Sequence, residues 1–216
     1  MTITLSHIVP LPIAEKVLSR HSDVWNQEVN LQPGEWIKVK APSGTGKTTL
    51  VHVLWQIRKD YKGQVLYASK PAQDILPEAM AQIRQEKLSV VFQDLRLFGQ
   101  LTALENIELK RRMSPTPYYP AEKVQAMAEH LGVAHVLHQQ AATCSYGEQQ
   151  RIAIIRALMQ PFEWLIMDEP FSHLDIANTA KAAALIAEEC KKRNAGLLIT
   201  DLDEDTHFPY TRYLNL

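Results

Sequence analysis

Apolar and polar positions along the chain predict an α/β architecture. The segment from Thr2 to Val9 is apolar-rich and reads as a strand. Val29 and Leu31 alternate with polar neighbours, and Gln32-Pro33-Gly34-Glu35 then signals a turn. Trp36 to Val39 forms a short strand running into Ala41, and a helix is expected from about Lys47 to Arg58. Gln64 to Tyr67 predicts another strand, Leu76 to Lys87 a helix, and Leu88 to Phe92 a buried strand. From Asp94 to about Gln160 the pattern is mostly helical. Trp164-Leu165-Ile166-Met167 is a continuous apolar run, as in parallel strands covered on both faces. A helix over Asn178 to Arg193 and a buried strand over Leu197 to Thr200 follow. One domain is expected: an α/β core from residues 1–93 and 161–216, interrupted by a helical subdomain over about 94–160.

Between the predicted strand ending near Val39 and the next helix stands Ala41-Pro42-Ser43-Gly44-Thr45-Gly46-Lys47-Thr48, followed by Thr49. This is the strand–loop–helix context of a P-loop. Small residues let the backbone curl so that successive N–H groups face phosphate oxygens, and the helix adds its positive N-terminal end. Lys47 is placed to reach the terminal phosphates and Thr48 to offer its hydroxyl to Mg²⁺. The first position of the motif is normally glycine and here is Ala41. If it requires positive φ, alanine costs about 1 kcal/mol or more there.

A second element is Leu165-Ile166-Met167-Asp168-Glu169-Pro170. An apolar strand delivers two adjacent carboxylates to its C-terminal end, where open α/β sheets bind ligands. Asp168 is placed to hold Mg²⁺ through water, and Glu169 to polarise the water that attacks in phosphoryl transfer.

The residues between these elements narrow the reading. Cys144-Ser145-Tyr146-Gly147-Glu148-Gln149-Gln150-Arg151 resembles the signature of ATP-binding-cassette (ABC) ATPases, normally Leu-Ser-Gly-Gly-Gln. Val91-Phe92-Gln93-Asp94 is similar to the Q-loop of that family, and Ser172-His173-Leu174-Asp175 to its D-loop. The stretches Pro77 to Gln93 and Leu101 to Ile107 resemble the branch of lipoprotein-releasing, macrolide-exporting and cell-division ATPases.

The resemblance implies a P-loop core with an antiparallel β subdomain and a helical insertion. It implies an ATP- and Mg²⁺-dependent ATPase subunit that powers a transporter through a separate membrane permease. Two such domains would pair head to tail, each nucleotide lying between one P-loop and the other copy's signature, Ser145 to Gln149. Ser145 and Gly147 would then meet the γ-phosphate, and Asp175 the dimer interface. Gln93 would join Thr48 and Asp168 around Mg²⁺ and report the state of the site to the helical insertion, which would dock on the membrane partner. Leu95, Leu97, Phe98 and Leu101, just after the Q-loop, are either that docking patch or a core stripe of the insertion.

Three departures qualify this expectation. The switch histidine expected after Thr200 is Asp201, an acceptor-only carboxylate that repels phosphate. The signature carries Tyr146 for glycine and Glu148 for glutamine. No aromatic residue for adenine stacking stands near Val9 to Pro12, which leaves Trp25 as a substitute. The departures point to slow hydrolysis, or to a heterodimer whose partner supplies a better signature.

Charge adds little. With 23 basic and 24 acidic residues the net charge is −1, so no field favours nucleic acid, and none is expected as a partner. Cys144 and Cys190 match no metal or redox spacing. No apolar run reaches the roughly 20 residues of a membrane span, and the N-terminus lacks the basic region and apolar core of a secretory signal. No regulatory domain is expected after the last strand. The expected location is therefore cytoplasmic, on the inner face of the cell membrane. An ATP sensor that hardly hydrolyses and a soluble, non-transport ABC ATPase stay open as alternatives.

Overall fold

The computed structural model describes residues 1–114, 116–202 and 206–216. Two sheets carry the architecture. The smaller is antiparallel, in the order β2 (Glu28–Leu31), β1 (Ile3–Pro10), β4 (Tyr61–Tyr67), β5 (Lys70–Pro71). The larger is parallel, in the order β6 (Leu88–Val91), β7 (Trp164–Asp168), β8 (Gly196–Asp201), β3 (Trp36–Lys40), β9 (Arg212–Asn215). The helices are α1 (Ala14–Leu18), α2 (Lys47–Leu54), α3 (Pro77–Glu86), α4 (Ala103–Arg111), α5 (Glu122–His130), α6 (Tyr146–Leu158) and α7 (Ile176–Arg193).

The parallel sheet separates two apolar clusters. On one face Ile37, Val39, Ile166 and Leu198 pack with α2 and the antiparallel sheet. On the other, Leu165, Met167, Leu197 and Ile199 pack with α4, α5, α6 and α7. The helical segment between β6 and β7 thus shares its core with the sheet. Every residue of β7 is buried, which accounts for its unbroken apolar run. Each fully buried Leu or Ile contributes about 1.5–3 kcal/mol here.

Two elements differ from expectation. Helix α2 ends at Leu54 rather than Arg58, because Gln56 takes a left-handed φ of 55° and its side-chain amide donates to the Val53 carbonyl at 2.9 Å. Strand β9 carried no apolar run that could reveal it. Its presence makes β3 an internal strand, flanked by β8 and β9. Lys38, on β3, is fully buried, with its ammonium over the Tyr210 ring and beside Asp201.

Candidate nucleotide site

The P-loop lies where β3 passes into α2. Gly44 and Gly46 stand at φ 77° and 107°, backbone states that favour glycine. At Gly46 a side chain is excluded for a second reason: a Cβ would lie 2.8 Å from Ile13 Cδ1 and 3.2 Å from Trp25 Cζ2. Thr45 closes the curve, its hydroxyl donating to the Pro42 carbonyl at 2.7 Å. Ala41 is not among the residues of positive φ, so alanine carries no strain at the motif's first position. Its carbonyl instead accepts from Lys47 Nζ at 2.9 Å. Thr49, one turn into α2, receives Arg58 at 3.4 Å.

Around this loop the predicted polar residues converge. Lys47 Nζ lies 3.2 Å from Glu169 Oε1, both groups largely buried. Thr48 Oγ1 donates to Gln93 Oε1 at 3.3 Å, and Gln93 Nε2 donates to Glu169 Oε2 at 3.1 Å. Glu169 stands at φ 47°, a left-handed state costing a non-glycine residue about 1 kcal/mol or more. Its carbonyl accepts from Gln150 at 3.3 Å, and its amide donates to the Thr200 carbonyl at 2.9 Å. The result is a cleft of about 260 Å³ lined by Ser43, Gly44, Gly46 to Thr49, Ile13, Gln93 and Glu169.

Asp168 is 1% exposed. One carboxylate oxygen accepts from Thr200 Oγ1 at 2.6 Å, while Oδ2 is buried without a hydrogen-bond partner among the described residues. An orphaned buried carboxylate oxygen suits a hard divalent cation with oxygen ligands, a donor type that the Thr48 hydroxyl and the Gln93 amide oxygen also supply.

The Q-loop beyond Gln93 is held from α6. Leu95 and Arg96 adopt φ 56° and 48° in succession. Arg156 offsets this strain by donating to both carbonyls, at 2.5 and 2.7 Å. Burial pushes its guanidinium down to about 10, with Asp94 opposing the shift.

The signature residues form the start of α6. Ser145 caps the helix in a reciprocal box with Glu148: Ser145 Oγ and N donate to the Glu148 carboxylate at 2.7 and 2.8 Å. Those hydrogen bonds hold the Glu148 carboxyl below the usual carboxylate range. Gln149 turns back to the Cys144 carbonyl at 2.9 Å. Gly147 packs so closely that a Cβ would lie 3.1 Å from the His173 carbonyl oxygen. Asp175 caps α7, accepting from the Asn178 amide at 2.8 Å.

Three placements revise the sequence-level picture. Asp201 ends β8 but turns its carboxylate to Lys38 Nζ at 3.0 Å rather than into the cleft lining. Trp25 is 3% exposed and donates to the Thr45 carbonyl at 3.3 Å. It braces the P-loop from behind and presents no open face for an adenine ring. Of the apolar run after the Q-loop, Leu95 is buried and Leu97 packs on the core, whereas Phe98 is exposed. Gln150, Arg156 and Thr200 support the site without having been assigned roles. Gln150 lay inside the quoted signature stretch, but nothing in one sequence marks a buried glutamine as a bridge.

A glycine-curled loop, a buried lysine and a strand-end Asp-Glu pair define a P-loop nucleotide site, and the capped helix ahead of β7 is a cassette signature. A family model described as ABC transporter matches residues 24–172, so the chain belongs to the ABC transporter family, as an ATP-binding, ATP-hydrolysing cassette. It is similar to the lipoprotein-releasing system ATP-binding protein LolD of Legionella pneumophila (34% identity; 82% of this chain, 78% of that one). It is also similar to the molybdate/tungstate import ATP-binding protein WtpC of Pyrococcus horikoshii (35% identity; 70% of this chain), of which it spans only 43%. Its fold matches the ATP-binding cassette MJ0796 in a dimeric post-hydrolysis state bound to ADP and Pi (TM-score 0.76, 22% identity, 93% of this chain and 88% of that one). Among the described residues no helix is long and apolar enough to cross a membrane.

Proposed function

We propose that the chain is one ATP-binding domain, with residues 94–160 as its helical subdomain, that drives a transporter from the cytoplasmic face of the cell membrane. The observation that carries this reading is the chain of contacts Thr48–Gln93–Glu169–Lys47 over the curled P-loop. ATP phosphates take the loop's amides and Lys47, which leaves Glu169 for the more highly charged partner. The freed carboxylate orients and polarises the attacking water, and the products are ADP and phosphate. Mg²⁺, when bound, neutralises phosphate charge; Thr48, Gln93 and, through water, Asp168 would hold it.

A second cassette, identical or not, supplies Ser145 and Gly147 to the γ-phosphate, with Asp175 at the interface. The permease, a separate chain, docks on α4, where Leu101, Leu104, Leu109 and Met113 line an apolar groove of about 590 Å³. The bearing surface thus lies later in the chain than Leu95 and Leu97. A slow-turnover variant of this reading is favoured by one observation: Asp201, ion-paired with Lys38, offers no donor at the switch position. Steady-state phosphate release by the purified chain, alone and with a co-purified permease, tests the reading. No ATP binding and no release under either condition would sink it.

A further inference from the structure

Tyr146 occupies a signature position where the family has glycine, and the structure gives its hydroxyl a use within the same chain. Tyr146 Oη donates to the Gln93 carbonyl at 3.1 Å. Its ring packs on the His173 ring, centroids 4.2 Å apart and planes inclined by 55°. The accepting carbonyl belongs to the residue whose side chain bridges Thr48 and Glu169. Downstream, the carbonyls of Leu95 and Arg96 are pinned by Arg156, three turns along the same helix.

We propose that Tyr146 is a positioning residue that ties the Q-loop to the first turn of α6, so that nucleotide at the P-loop is reported to the signature of the same chain. This rests on the reading of Gln93 as part of the nucleotide site. Nucleotide that draws Lys47 from Glu169 also changes what Gln93 bridges. Residues 95 and 96 are fixed from the far end of α6, so a displacement of Gln93 is passed to the hydroxyl that holds its carbonyl. Tyr146 lies one residue from Ser145 and Gly147, the groups offered to a partner's phosphate. A glycine has no such reach, and a phenylalanine keeps the ring on His173 while losing the tie.

The test compares amide spectra of the ¹⁵N-labelled full chain and its Tyr146→Phe variant during titration with Mg-ADP. That ligand lacks the γ-phosphate a partner's signature would take. In the wild type the amides of Gly44 and Gly46 shift, and those of Gly147 and Glu148 shift with the same midpoint. In Y146F the P-loop shifts persist at unchanged affinity while the α6 shifts collapse, with the thermal midpoint unaltered. The rate constant kcat falls about three- to tenfold, the worth of one neutral hydrogen bond, with KM held. Equal α6 shifts in both proteins, or none in the wild type, overturn the proposal while leaving the nucleotide site intact. Silence of Gly44 and Gly46 overturns the reading of the site, and the tie with it.

Discussion

The two half-sites of this cassette are built from opposite materials. The P-loop half is made by backbone: Gly44 and Gly46 set the curve, and Trp25 and Ile13 brace it. The signature half is made by side chains that are already engaged. Ser145 is bonded to Glu148, Tyr146 to Gln93, and Gln149 to Cys144. In the backbone cradle only Lys47 must exchange partners when phosphate binds, whereas several side chains of the engaged helix start must do so. On the proposed function, nucleotide capture then asks little of the chain's own structure, and signature closure asks more.

The largest effect breaks the first half. Lys47→Ala removes the ammonium that pairs with Glu169 at the start of α2. A charge-assisted bond to phosphate is worth about 1.5–3 kcal/mol, so ATP affinity falls by about tenfold to over a hundredfold. Calorimetric titration measures this, and unchanged affinity would mean that the loop amides suffice.

Glu169→Gln sharpens the comparison by keeping capture and stopping chemistry. The amide oxygen can still accept from Lys47 or from Gln93, though not from both, and it cannot take a proton from water. Turnover falls about 10²-fold or more, while ATP still binds and a dimer accumulates, as read by light scattering. Wild-type turnover would show that another residue orients the water.

How well each half could be read from sequence follows the same division. Glycines, Lys47 and the Asp-Glu pair are local motifs whose chemistry does not depend on distant residues, and the structure brings them together. The switch region was less legible because Asp201 takes its meaning from Lys38, 163 residues away in sequence. That pairing could be anticipated only by knowing that β3 and β8 are parallel neighbours. Similarly, Tyr146 reads as an obstruction in the motif, and only the folded chain shows its hydroxyl on Gln93. Trp25 was misleading because exposure, which an adenine platform needs, is a property of packing rather than of residue type.

The Lys38–Asp201 pair yields a prediction opposite to the one the motif alone suggests. Sequence logic expects Asp201→His to remove repulsion at the phosphate and raise the rate. In the fold, the carboxylate faces a fully buried ammonium. Removing one partner of such a pair typically costs about 3–5 kcal/mol, and less here because Lys38 has further interactions and Asp201 is partly exposed. D201H is expected to lower the melting temperature by several degrees without raising phosphate release. The double variant Lys38→Met with D201H recovers most of the loss. A faster, equally stable D201H would return Asp201 to the phosphate.

The smallest effect concerns the signature cap and isolates it from chemistry. Glu148→Ala removes the N3 half of the box at the start of α6, where a lost cap costs about 0.5–2 kcal/mol. The same change releases the Ser145 hydroxyl, so stability and phosphate recognition move in opposite directions. The pH dependence identifies the cause. The folded carboxyl is held below its ordinary range, chiefly by the Ser145 hydroxyl and amide, with His135 as a further partner 3.2 Å away. A carboxylate depressed in this way stabilises the fold fully above its unfolded value near pH 4.3, and that contribution disappears as pH falls through the lower folded value. The gap in melting temperature between wild type and E148A should thus be constant above about pH 5 and narrow on acidification. A gap that persists undiminished in acid would assign the loss to helix propensity or packing, leaving Ser145 free of any carboxylate whose departure the signature must await.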